Sequence, residues 1–167
     1  MTIINNSYKF IFVHIPKAAG TTITNQLSAY TNYCDLEIGG TCFGEKIQPA
    51  YKKRFNISKH STATELQAIT GEIEWSKNFT FAFVRNPYDR ALSTYNFLLE
   101  WRGTPIRLKN ELLKFKNFSE FIESDFLLTR PGPDNIFKPQ THWATKKGKN
   151  LLNYIGKLET INEDITH

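Results

Sequence analysis

Cysteine is scarce in this chain, with Cys34 and Cys42 the only two. Without a second pair or a nearby histidine they cannot complete a zinc site, and two thiols eight residues apart make no disulfide framework, so reduced thiols are expected. Long apolar runs are missing too. None approaches the roughly 18 residues that a membrane-spanning helix needs, and residues 1–7 lack a basic stretch followed by an apolar one. No span or export leader is therefore expected, and the expected location is cytoplasmic. With only 7 prolines and 9 glycines in 167 residues and no internal repeat, the composition argues against a disordered or linker-rich chain. One domain over residues 1–167 is expected, long enough to bury a single core.

What is present begins with charge. The net +5 favours anionic ligands by raising their local concentration. No helix of clustered lysine and arginine accompanies it, so a nucleic-acid partner is not expected. An anionic nucleotide or a charged glycan fits the same balance.

Residues 8–14 form a near-continuous apolar, β-branched run stopped by Pro16, the pattern of a strand buried on both faces. Residues 21–30 place Ile23, Leu27 and Tyr30 on one helical face, with Thr21 or Thr22 as the expected cap. Residues 31–53, rich in glycine and broken by Pro49, show no sustained period and are expected to be an excursion without elements. A short strand is expected at 54–58, a helix at 63–70 ending on Gly71, a strand at 79–84, a helix from Pro87 to about Trp101, one or two helices within 108–128, and a third strand at 151–158. Alternating strands and helices predict an α/β fold with a central, mainly parallel sheet flanked by helices.

In such a sheet, ligands bind beyond the carboxyl ends of the strands. The first strand ends in His14-Ile-Pro-Lys-Ala-Ala-Gly-Thr-Thr22. A tight turn opening a helix offers unpaired N–H groups and the positive end of the helix dipole, which together hold a phosphate, and Gly20 would let the backbone come close. This is not the triphosphate loop G-x-x-x-x-G-K-S/T, because Lys17 precedes the only glycine. A nucleotide-dependent kinase is accordingly disfavoured. The second strand ends in Val84-Arg-Asn-Pro-Tyr-Asp-Arg-Ala-Leu-Ser93, with an arginine at its tip and a serine two turns into the next helix. Arginine clamps a phosphate bidentately and serine adds a hydrogen bond.

Pro16-Lys-Ala-Ala-Gly-Thr-Thr22 resembles the 5′-phosphosulfate loop of sulfotransferases that use 3′-phosphoadenosine 5′-phosphosulfate (PAPS), and Val84-Arg-Asn-Pro-Tyr-Asp-Arg-Ala-Leu-Ser93 resembles their 3′-phosphate motif. Within that family the chain is most similar to the carbohydrate branch that includes heparan sulfate 2-O-sulfotransferases and related bacterial proteins. The resemblance implies a fold like that of P-loop nucleotide hydrolases, and transfer of a sulfuryl group from PAPS to an acceptor hydroxyl, with carbohydrate the favoured acceptor and no metal. It implies that Ala18, Ala19, Gly20, Thr21 and Thr22 bind the 5′-phosphosulfate, that Lys17 stabilises the bridging oxygen as the bond breaks, and that Arg85 and Ser93 hold the 3′-phosphate. Asp89 and Arg90 are expected to pair along the helix or cap it. Members continue past the segment resembling residues 155–164, so the domain is expected to be short at its C-terminus. A module that binds PAPS, or its desulfated product PAP, without turnover is the alternative reading.

An acceptor hydroxyl needs a general base, and histidine suits neutral pH. His60, in Ser58-Lys-His-Ser-Thr-Ala63, lies where the resembling family carries its catalytic histidine and is favoured over His142. His14 is expected to be structural, fixing the loop. Lys59, Gln140 and His142 are candidate acceptor contacts. Lys146, Lys147 and Lys149 form a small basic run. The sequence leaves the oligomeric state open.

Overall fold

The computed structural model describes residues 1–130 and 132–161. Its elements in chain order are β1 (Thr2–Asn5), β2 (Phe10–Phe12), α1 (Gly20–Leu27), β3 (Leu36–Ile38), α2 (Cys42–Phe55), α3 (Ala63–Thr70), α4 (Glu72–Lys77), β4 (Phe79–Val84), α5 (Pro87–Glu100), α6 (Ile106–Leu112), α7 (Phe118–Glu123), α8 (Phe126–Thr129), α9 (Thr141–Ala144), β5 (Thr145–Lys146), β6 (Lys149–Asn150) and β7 (Tyr154–Lys157). They form two compact units: Met1–Val84 with the described part of Gln140–His167, and Arg85–Pro139. Among the described residues no helix is long and apolar enough to cross a membrane.

The first unit is built on a five-stranded sheet of order β3-β1-β2-β4-β7. β2, β4 and β7 run parallel, with Phe10 opposite Phe79 and Phe81 opposite Tyr154. The other two pairings are antiparallel, Ile4 lying opposite both Ile11 and Leu36. β3 therefore runs in the same direction as β2, β4 and β7, and only β1 is reversed, so the sheet is mainly parallel as the sequence predicts, with one antiparallel strand. What the sequence does not predict is β1 and β3 themselves, which are too short and too close to turn residues to register as strands. β1 and β2 form a hairpin whose turn is tightened by the Asn5 side chain, which accepts from the Tyr8 N–H at 2.6 Å, and by Lys9 at φ 57°.

Successive strand residues face opposite sides of a sheet. Ile11, Val13 and Ala82 pack on one face against Leu66, Trp75 and Trp143, whereas Phe12 and Phe83 pack on the other against Ile3 and Ile23. Both faces are covered, which is why residues 8–14 and 79–84 read as unbroken apolar runs.

α3 spans the expected residues because its ends are fully specified. The Thr62 side chain accepts from the Glu65 N–H while Glu65 reaches back to the Thr62 N–H at 2.7 Å, and Gly71 closes the helix at φ 79°. Residues 31–53, by contrast, hold β3 and most of α2, and the strand expected at 54–58 is absent because residues 54 and 55 finish α2. The glycines there are packing and turn devices, not signs of a loop. Gly39 and Gly40 turn the chain at φ 73° and 76°, and a Cβ on Gly44 would sit 2.5 Å from the Gly39 carbonyl oxygen. Thr41 caps α2 by accepting from the Gly44 N–H, and Asn56 ends it in the left-handed region.

In the second unit, α5 buries Tyr95 and Leu98 against Leu112, Phe121 and Ile136. Asn86 caps α5 and Pro87 supplies its first turn. Asp89 lies in that turn, where a carboxylate complements the helix dipole. Arg90 reaches a later segment of the same unit. It is buried, and its guanidinium donates to the carbonyls of Ile136 at 2.9 Å and Lys138 at 3.1 Å, tying that segment to α5. Burial pushes its pKa down to about 10, which leaves it charged at neutral pH.

Candidate active site

β2 hands the chain through Val13 and His14 to the loop that opens α1. Two loop residues, Lys17 at φ 64° and Ala19 at φ 57°, occupy the left-handed region without being glycine. Such strain persists only where the surroundings over-determine the backbone, and it clusters at ligand-binding turns. Ala19 is the N-cap residue of α1 and supplies no side-chain hydrogen bond, so neither Thr21 nor Thr22 caps the helix as the sequence predicts. Both threonines are exposed, Ala18 is buried and Lys17 is half-buried. The eight-residue α1 thus starts with first-turn N–H groups that no side chain caps and with no acidic residue beside them. This is a fit for an anion.

The turn at residues 58–61 brings His60 to the same strand end. It is closed by the Ser61 N–H donating to the Ser58 carbonyl and the Ser58 N–H donating to the Ser61 hydroxyl. His60 Nδ1 lies 3.2 Å from the carbonyl oxygen of His14, and the two imidazole rings are 4.4 Å apart. A carbonyl oxygen can only accept, so the shared proton resides on Nδ1 and the basic lone pair of the neutral ring falls on Nε2. From behind, the buried Trp143 donates its indole N–H to the His60 carbonyl at 3.0 Å. This contact places α9 beside the histidine. Gln140 precedes α9 and His142 lies on it, the His142 ring meeting Trp143 edge-on at 5.1 Å.

Lys59, on the same turn, reaches toward α2. Its ammonium pairs with Glu45 at 3.4 Å and its N–H donates to Gln48 at 2.8 Å, which anchors the turn to α2. Arg85 is the first residue after β4 and Ser93 lies on α5, both half-buried. Lys146, Lys147 and Lys149 are exposed on the β5-β6 hairpin, whose turn has Lys147 at φ 49° and Gly148 at φ 78°. Cys34 and Cys42 are free thiols. Among the described residues no group of three or more His, Cys, Asp or Glu is arranged to hold a metal ion.

The model of the sulfotransferase family matches residues 1–167. The chain belongs to the sulfotransferase family. No curated protein and no solved structure matches it significantly.

Two parts of this sulfotransferase's site were not legible in its sequence. The Trp143 indole bonds a backbone carbonyl 83 residues away, and such a contact leaves no local pattern. Gly20 is the second. It is not left-handed, and an added Cβ would meet the His14 ring, so what demands glycine there is a packed side chain.

The His14 ring also makes a pH prediction. Burial, then the neighbouring Met1 amino group, His60, Lys59 and Lys17, hold its pKa well below the ordinary 6.5. The Met1 amino group, which bonds His14 Nδ1, is pushed down from 8.0 to about 4 by burial and by Lys59. Both groups therefore bind protons more readily in the unfolded chain. Their contribution to stability is complete above pH 8 and is lost as the pH falls, first through the Met1 window between 8 and about 4 and then also below 6.5 as His14 joins. The urea midpoint at fixed ionic strength is expected to decline steadily from pH 8 to pH 5. A flat midpoint over that range would contradict the burial of both groups.

Proposed function

We propose that this chain transfers a sulfuryl group from PAPS to a hydroxyl of a carbohydrate acceptor, with His60 as general base. The observation that carries this reading is the bond from His60 Nδ1 to the His14 carbonyl, which ties the base to the residue that leads into the phosphate loop. The bond leaves Nε2 as the nitrogen that accepts the acceptor's proton. As that proton moves, the acceptor oxygen bonds to sulfur and the bond from sulfur to the bridging oxygen breaks, with the electron pair staying on the departing phosphate. Lys17 and the first-turn amides of α1 face the charge that develops there. Arg85 and Ser93 hold the 3′-phosphate, which takes no part in bond breaking. The carbohydrate acceptor rests on the motif resemblance, supported by the exposed lysines of the β5-β6 hairpin, which suit an acidic glycan.

Calorimetric titration with PAP, beside adenosine 5′-phosphate and ATP, tests the donor site. Selective binding of PAP is expected, followed by movement of labelled sulfate from PAPS onto members of a glycan panel. Binding of PAP with no transfer to any acceptor would select the inert binding module, and no binding would sink both. Arg85→Ala is expected to weaken PAP binding by about tenfold or more, the loss of one charge-assisted phosphate clamp, while leaving adenosine 5′-phosphate unaffected. Equal PAP affinity in the variant would remove Arg85 from the site.

A further inference from the structure

His14 contributes its carbonyl to His60, but its ring also makes contacts that the proposed mechanism does not use. A Cβ built on Gly20 would lie 1.6 Å from His14 Nε2 and 2.3 Å from its Cδ2 and Cε1. On its other edge the ring meets the Met1 amino group through Nδ1. Phe12 stacks on it at 6.1 Å with 19° between planes, and the His60 ring lies 4.4 Å away. The imidazole therefore occupies a slot between the first residue of α1 and the candidate base. No displacement toward Gly20 is open to it.

The backbone does not require glycine at position 20. Gly20 is not in the left-handed region, and at the start of a helix alanine is favoured over glycine by intrinsic propensity. Steric conflict with the His14 ring is what decides the sign, because interiors are close-packed and a 1.6 Å approach must be relieved by movement. The ring is hemmed in by the Met1 amino group and the His60 ring, so it yields by pressing on these neighbours or by lifting the N-terminus of α1.

We infer that the His14 side chain is a positioning residue, a rigid spacer that sets the separation between the phosphate loop and His60. This rests on the reading of residues 17–22 and His60 given above. It adds that the donor site and the base are mechanically coupled through one packed ring, so that a change at either is felt at the other.

A double-mutant cycle of Gly20→Ala, His14→Ala and the two combined tests this, read out by PAP affinity, kcat and the ring-proton resonance of His60. Gly20→Ala alone is expected to weaken PAP binding and to lower kcat, each by about tenfold or more, and to move the His60 resonance and its titration. In the double variant the added methyl enters space the ring has vacated, so most of the Gly20→Ala loss should be recovered. A Gly20→Ala effect of the same size with and without the ring would overturn the inference, as would a Gly20→Ala protein that behaves like wild type. If the His14→Ala proteins do not fold, the His60 resonance of Gly20→Ala decides alone: a moved signal supports the coupling and an unmoved one overturns it. The resonance does not depend on turnover. Wild-type protein that fails to bind PAP would therefore refute the functional reading while the coupling is still judged.

Discussion

Replacing His60 with alanine is expected to lower kcat by about 10²- to 10⁴-fold, the usual range for loss of a positioned general base. Alanine also deletes the bond to the His14 carbonyl, so the loss would mix proton transfer with positioning. Asparagine separates the two. Its side-chain amide nitrogen can stand in for Nδ1 and keep the bond, but it offers no basic nitrogen in place of Nε2. His60→Asn should therefore lose activity nearly as completely as His60→Ala while retaining wild-type affinity for PAP. The pH profile adds a second signature. A base must be unprotonated to act, so kcat/KM should rise with pH to a plateau in the wild type, and that acidic limb should vanish in the residual activity of His60→Asn. Wild-type turnover in the asparagine variant would remove His60 from the chemistry.

How much of this is legible in the sequence varies with the kind of interaction. α3 and α5 were placed to within a residue because short-range groups define their ends: Thr62 with Glu65 and Gly71 for the first, Asn86 with Pro87 for the second. α2 was missed because Gly44 and Pro49 count as breakers in any local reading. Only the packed structure shows Gly44 seated against the backbone of Gly39. β1 was missed because four residues ahead of a tight turn carry no periodicity. In the site, the loop at residues 16–22 stood out through its strand, turn and helix context. The reason for Gly20 did not, because the His14 ring that requires glycine there reaches it through the fold. The choice of His60 came from resemblance. What sets its tautomer is a backbone carbonyl 46 residues away, and a carbonyl is present at every position of every sequence.

Lys17→Ala is expected to lower kcat by about 10²- to 10³-fold, comparable to removing one donor that stabilises a developing oxyanion. Because that charge appears only as the bridging bond breaks, kcat and kcat/KM should fall together, with PAPS binding changed far less. Unchanged kcat would refute the assignment. The backbone at this position supplies an independent check. Lys17 sits at φ 64°, a conformation that costs a residue with a Cβ about 1–2 kcal/mol. Glycine avoids this strain and gives back about 0.5–1 kcal/mol through the greater freedom of its unfolded chain. Lys17→Ala and Lys17→Gly both lose the ammonium, so comparing them isolates the backbone. The glycine variant should be the more stable of the two in urea yet equally inactive. That outcome would mean the loop carries a strained lysine where glycine would fold better, a stability cost explained by the charge it holds at the start of α1. Equal stability of the two variants would instead mean that the left-handed turn at Lys17 is unstrained, and the argument from strain to function would fall.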